Sequence, residues 1–191
     1  MWWDFICKNA WRDRYNKSQD ALDECYAQRN AIVEALCECE DALDKCLGDN
    51  KPVPVVQDKD KVIKSGEWMT SVVSQIPDCQ LAHFPFDGKY WLAKKDIWRL
   101  LVAWDWVDNK KYMEDIWDCE NYAILFKGRA DYYFGLNSCA IIIDYSSGHG
   151  YNMIFYPDGD CDIFEPQSDA FISVIGRNKD MYGLSLGAIL V

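Results

Sequence analysis

The chain has 191 residues, half of them apolar and 15% aromatic, and 20 basic against 31 acidic side chains leave a formal net charge of −11. That length suits one compact domain plus an appendage, and the apolar fraction excludes a disordered chain. With no surplus of basic charge, nucleic acid and an anionic membrane surface are excluded as expected partners.

No run reaches the ~18 apolar residues a membrane span needs. Met1-Trp2-Trp3-Asp4 lacks the basic start and apolar stretch of a signal peptide. Synthesis in the cytoplasm is therefore expected. The chain has nine cysteines, an odd number, with no C-x-x-C pair and only two histidines. This argues against a structural zinc site and a fully paired disulfide framework, and for thiols that are mostly reduced and buried.

From Met1 to Leu47 there is neither Gly nor Pro, which predicts one long helix. Alternate steps of four and three pick out Trp11, Tyr15, Ser18, Leu22, Cys25, Arg29, Ile32, Leu36, Cys39, Leu43 and Cys46. That heptad seam predicts a parallel coiled-coil homo-oligomer over residues 1–50 in preference to a helix folded back on its own globular domain, which usually shows a wider apolar stripe. Ser18, Arg29 and the seam cysteines leave dimer and trimer equally open. Lys51 to Gln57, with Pro52 and Pro54, reads as a linker into a domain over 51–191.

Within that domain, Ile97, Leu100, Leu101 and Trp104 give Lys94 to Val107 helical spacing. A second, short helix is expected after Cys119. Cys139 to Tyr145, His149 to Tyr156, Cys161 to Glu165 and Gly183 to Val191 read as strands, with turns at Ser146-Ser147-Gly148 and Pro157-Asp158-Gly159-Asp160. Hairpin order predicts an antiparallel sheet packed against helices, an α+β fold.

Three short segments could carry chemistry. Asp118-Cys119-Glu120 opens a helix, where the dipole favours a thiolate. Gly148-His149-Gly150 opens a strand, and an imidazole there can accept and return a proton. Phe164-Glu165-Pro166-Gln167 ends the next strand, where a carboxylate can fix the imidazole tautomer. Asp118 and Glu120 oppose the first effect, because neighbouring negative charge raises a thiol pKa. For His149 and Glu165 to share a face, the connection between their strands must hold an odd number of residues or carry a bulge.

In this order, Asp118-Cys119-Glu120-Asn121-Tyr122-Ala123, Ser147-Gly148-His149-Gly150-Tyr151-Asn152 and Glu165-Pro166-Gln167 resemble the agglutinin-C family. That family comprises the cysteine protease domain of the Marasmius oreades agglutinin and related bacteriophage proteins. The resemblance spans roughly residues 80–170. It implies a papain-like, transglutaminase-like domain with Cys119 as nucleophile, His149 as base and Glu165 as orienting acid. It also implies calcium dependence, with Asp118, Glu120 and Gln167 as oxygen ligands. No Gln precedes Cys119 as an oxyanion donor, so a backbone N–H would take that part. Tyr112 and Trp117, just upstream, either line the cleft or pack.

The expected fold class is thus α+β, a long N-terminal coiled-coil helix followed by a papain-like domain. The expected function is a calcium-assisted cysteine hydrolase of peptide or amide bonds, including peptidoglycan-like substrates, displayed on an oligomeric stalk of a phage virion. The alternative is a non-catalytic structural or binding module of such a particle.

Overall fold

A computed structural model describes residues 52–191. The expected coiled-coil helix over 1–50, with its homo-oligomeric seam, lies outside the described residues. In chain order the elements are β1 (Lys61–Ser65), α1 (Gly66–Val73), β2 (Ala82–Phe84), β3 (Lys89–Ala93) and α2 (Lys95–Trp104). Then follow α3 (Cys119–Phe134), β4 (Cys139–Asp144), β5 (His149–Phe155), β6 (Cys161–Glu165), β7 (Ala170–Ser173) and β8 (Gly187–Leu190).

Six strands form one sheet in the order β2-β8-β4-β5-β6-β7, while β1 and β3 pair as a separate antiparallel ribbon. β4 and β5 are buried along nearly their whole length, because both faces of the sheet are covered. On one face, Met69, Val72 and Val73 of α1 meet Tyr90 and Leu92 of β3 over Ile142, Tyr151, Met153 and Ile163. On the other, Trp98 and Leu101 of α2 and Phe126 and Ala130 of α3 meet Cys139, Ile154 and Phe164. Coverage on both sides explains why the strands read as continuous apolar runs, without polar alternation.

This architecture corrects the expected fold class. The described residues are mostly sheet with three short helices, in place of a papain-like α+β domain of helices packed on an antiparallel sheet. The three additional early strands lie where Pro, Gly and isolated charges mask the period-two pattern, and the ribbon β1–β3 forms only through a long-range pairing. The sheet is not purely antiparallel either: β2 pairs parallel with β8, Ala82 opposite Ala188 and Phe84 opposite Leu190. A parallel edge pair between segments a hundred residues apart leaves no hairpin signal.

α2 also stops earlier than its apolar spacing suggests. Asp105 leaves the helix in extended conformation, and its buried carboxylate pairs with the Arg129 guanidinium of α3 at 2.7 Å while accepting from the Val107 N–H at 3.1 Å. Burial pushes the Asp105 carboxyl up, and Arg129 and the Val107 N–H pull against that. Loss of one partner would strand a buried charge, at a cost of about 3–5 kcal/mol.

Asp169, on the turn between β6 and β7, has a left-handed backbone with φ of 56°. Burial, with the charges of Asp108 and Asp105, pushes its carboxyl up to about 7. A raised carboxyl keeps its proton in the folded state after the unfolded chain has lost it. The group therefore subtracts stability progressively from about pH 4 to pH 7. Asp169→Asn tolerates the left-handed backbone and is expected to raise the melting temperature at pH 8 by about 2–4 °C. At pH 4 thermal unfolding should show little difference from the parent chain, and an equal shift at both pH values would contradict the assignment.

Candidate functional site

α3 begins at Cys119 because Asp118 precedes it in extended conformation and Asn121 reaches back, its Oδ1 accepting from the Asp118 N–H at 3.2 Å. The helix ends at Gly135, whose left-handed φ of 58° suits glycine at that cap. Its first turn presses on β5 at Gly150. A Cβ there would meet the Glu120 backbone N at 3.0 Å and Cα at 3.1 Å, so only glycine allows the approach.

The approach brings the Gly150 N–H to the Cys119 Sγ at 3.2 Å. One turn further along α3, the Asn152 amide, fully buried, donates to the Ala123 carbonyl at 2.9 Å and to the Ala140 carbonyl at 3.0 Å. The thiol also donates to Glu120 Oε2 at 3.3 Å. Burial raises the Cys119 pKa above its ordinary value and the Glu120 carboxylate adds to this, while the Gly150 N–H works the other way.

His149 and Glu165 meet because of the connection between β5 and β6. Phe155 pairs with Cys161, and Tyr156 donates its N–H to the Asp160 carbonyl, so the tip is the three residues Pro157–Gly159. Gly159 takes the positive φ, 94°, that such a tip requires. The odd count puts Glu165 on the face of Tyr151, and therefore of His149. There His149 Nε2 and Glu165 Oε2 lie 2.7 Å apart, both side chains largely buried. The ring of His149 packs beside Tyr151 and Tyr182, at centroid separations of 5.4 and 6.0 Å.

Consecutive strand residues point to opposite faces, so His149 and Gly150 present the imidazole and the thiol contact on different sides of β5. His149 is the first residue of the strand, and there both can border one cleft. That cleft, of about 460 Å³, is lined by Cys119, Glu120, Asp144, Tyr145, His149 and Gly150 among others. The structure thus brings Cys119, His149 and Glu165 to one place. The thiol's hydrogen bonds run to Gly150 and Glu120, and the imidazole's to Glu165.

The expected calcium ligands divide. Asp118 and Glu120 interact directly: desolvation and the hydrogen bond to Glu120 hold the Asp118 carboxyl above its ordinary value. The Glu120 carboxyl is held below its own, by its backbone N–H first and by Cys119 next. Two neighbouring carboxylates offer hard oxygen donors of the kind calcium takes. Gln167 lies on the turn after β6, half-buried. Among the described residues no cluster of three or more His, Cys, Asp or Glu side chains is arranged to hold a metal.

Of the two upstream aromatics, Trp117 packs edge-on against Tyr122, at 5.8 Å between centroids, and lies under the Lys110 ammonium. Tyr112 is half exposed, and Cys119 and Asp118 are near enough to act on its hydroxyl. Two residues of the site escaped the sequence reading. Asp144, opposite His149, takes hydrogen bonds from the Tyr151 hydroxyl and the Leu184 N–H, each at 3.0 Å. Tyr182 donates to Glu165 Oε2 at 3.4 Å. Asp144 sits inside an apolar strand, which marks it as a buried acid in need of partners. Tyr182 carries no such signal.

No family model and no curated protein matches the chain. Solved structures do. A complex of PSL1a with E64 superposes with a TM-score of 0.52 at 19% identity, over 69% of this chain and 51% of that one. The Polyporus squamosus lectin bound to the human-type influenza-binding epitope Neu5Aca2-6Galb1-4GlcNAc gives 0.50 at 17% identity, over 65% and 48%. The chain therefore shares a fold with these lectin chains and spans about half their length.

These findings overturn the family read from the three motifs. The neighbours are lectins, so the assignment to the agglutinin-C protease family does not stand, nor do its papain-like and transglutaminase-like labels. Three short motifs recorded local turn and cap geometry, which unrelated chains can share, and at these identities the match extends to fold alone. No helix among the described residues is long and apolar enough to cross a membrane.

The four described thiols should differ in reactivity. Burial pushes Cys139 and Cys161 each up to about 12, so iodoacetamide near neutral pH should modify Cys119 well before either. Removing the nearest negative charge in Glu120→Gln should speed that modification about two- to fivefold. Gly150→Ala, which forces the helix start off β5, should slow it and lower the melting temperature. Peptide mapping of a timed alkylation reads all three, and a Cys119 no faster than Cys139 would contradict the site.

Proposed function

We propose that this chain cleaves an amide or peptide bond with Cys119 as nucleophile. The observation carrying this reading is the convergence on one cleft of a thiol seated on the Gly150 N–H and an imidazole held by a largely buried carboxylate at 2.7 Å. His149 Nε2–H donates to Glu165, which leaves Nδ1 as the basic nitrogen. Nδ1 takes the thiol proton, Sγ attacks the carbonyl carbon, and the imidazolium returns the proton to the departing amine. A water, deprotonated by the same nitrogen, then attacks the thioester and restores the thiol. Backbone N–H groups at the start of α3 supply the donors for the oxyanion.

Asp118 and Glu120 would hold calcium, and the dication would cancel the negative charge that raises the thiol pKa. The heptad seam from Trp11 to Cys46 supports display of the site on a homo-oligomer.

E64 is an epoxide that thiolates open, and PSL1a, a neighbour in fold, binds it. Intact-mass measurement after incubation with E64 should show one adduct on the parent chain and none on Cys119→Ala. His149→Ala should slow the labelling at least tenfold, and calcium should accelerate it relative to chelator. Absence of an adduct at Cys119 under all these conditions would refute the proposal. Light scattering should give a multimer for the full chain, and a monomer would refute display on an oligomer.

A second reading, a glycan-binding module, rests on the sialylated epitope bound to the Polyporus squamosus lectin. Binding of that trisaccharide by a chain whose Cys119 is inert to E64 would favour it.

A further inference from the structure

The segment after β7 is held with unusual effort. Arg177 is buried with no carboxylate partner among the described residues; its guanidinium donates instead to three backbone carbonyls, Tyr182 at 2.8 Å, Val174 at 2.8 Å and Pro77 at 2.9 Å. Beyond it, Tyr182 donates its N–H to the Asn178 carbonyl at 2.8 Å. Two residues later the Leu184 N–H is taken by the buried Asp144 carboxylate at 3.0 Å, with Leu184 itself at a positive φ of 56°. Two buried charges and a strained backbone therefore bracket one short stretch, and burying charge for a mere surface turn is costly.

The one side chain this stretch sends to the site is Tyr182. Its ring is buried edge-on against Tyr151, at 5.0 Å between centroids, and beside His149. Its hydroxyl donates to Oε2 of Glu165, the oxygen that also meets His149 Nε2. Glu165 Oε1 is buried with no hydrogen-bond partner among the described residues. All direction on the carboxylate thus enters through Oε2, and Tyr182 is the only other donor there among the described residues.

We infer that Tyr182 is a positioning residue: its hydroxyl and ring hold Glu165 on Nε2, so that His149 stays the Nε2–H tautomer with Nδ1 available to the cleft. This rests on the thiol reading above, although the tautomer can be read without any turnover. The groups around the imidazole are Glu165 on β6, Tyr182 itself, Tyr151 on β5, Asp144 on β4, Tyr145 on the β4–β5 turn, and Cys119 and Glu120 on α3. Of these tyrosines, Tyr182 is the one whose hydroxyl meets Glu165, and Tyr182→Phe removes that hydroxyl without changing charge or a proposed reacting group.

The test is Tyr182→Phe in the full chain, read by the ring ¹⁵N shifts of the two histidines. In the parent chain neutral His149 should show a protonated Nε2 and a bare Nδ1. In Tyr182→Phe the two tautomers should mix, and alkylation of Cys119 should slow about threefold to tenfold. His83, whose Nδ1 faces the Thr70 hydroxyl, should not change and serves as the internal control. A purely structural role would lower the melting temperature and leave the tautomer alone.

Unaltered His149 shifts in a folded Tyr182→Phe would overturn the inference. Should that variant not fold, 2,3-difluorotyrosine at position 182 keeps the shape and strengthens the donor. The Nε2–H proton resonance of His149 should then shift, and an unmoved resonance would equally overturn the inference. If the parent chain shows the fixed tautomer while Cys119 stays inert to E64, the thiol reading fails and the positioning inference stands.

Discussion

The first turn of α3 meets the backbone of β5 at Gly150, where a Cβ would fall 3.0 Å from the Glu120 backbone N. Much else depends on that contact. It sets the helix start against the strand and puts a backbone N–H on the Cys119 sulfur. It also fixes the line along which Asn152 can bond the Ala123 carbonyl and Phe126 can lie 4.3 Å from Phe164. The aromatic contact, worth about 0.5–1.5 kcal/mol beyond area burial, holds the middle of the helix. The glycine decides where the end falls. A methyl group at position 150 would move the helix start by several tenths of an ångström and lengthen the contact between the Gly150 N–H and the Cys119 sulfur.

The second constraint is parity. β4 and β5 are joined by the four residues Tyr145–Gly148, which puts Asp144 opposite His149. β5 and β6 are joined through an odd tip, which puts Glu165 on the same face. Both acids therefore lie beside the imidazole, yet they are used differently. Asp144 is saturated: Ser146, Tyr151 and Leu184 all donate to it, and these hydrogen bonds hold its carboxyl low against the opposing effect of burial. An acceptor with its lone pairs already committed has little left for a histidine. Glu165 keeps Oε2 for His149 and so becomes the acid that orients the ring.

The residues that show this in sequence are those whose physics is local. A glycine between His149 and Tyr151, a Pro-Asp-Gly-Asp turn and a cysteine just before an apolar helical run each specify a short-range geometry. The strands from Cys139 to Glu165 and the start of α3 were legible for that reason. The parity condition follows from strand geometry alone, so it too could be stated before any coordinates. The parallel β2–β8 pair, the Arg177 clamp and the Tyr182 hydroxyl were not legible. Each depends on segments separated by tens of residues, with no periodicity to mark them. The family assignment failed for a related reason: three short motifs in order record local geometry, whereas the lectin neighbours share the fold of the larger part of the chain. The coiled-coil seam falls outside the described residues.

The thiol itself presents an electrostatic conflict. The helix dipole and the Gly150 N–H favour a thiolate, whereas burial and the Glu120 carboxylate oppose it, and the balance leaves Cys119 protonated near neutral pH. A dipole effect of about 0.3–1 kcal/mol cannot by itself reverse a neighbouring full charge in a partly buried setting. The tie between the two acids holds the Asp118 carboxyl above its ordinary value and the Glu120 carboxyl below its own, so Glu120 keeps its charge beside the thiol. A dication would neutralise both carboxylates at once and release the thiol from Glu120. In the calcium-assisted reading proposed above, the same pair that raises the Cys119 pKa would hold the ion that offsets it.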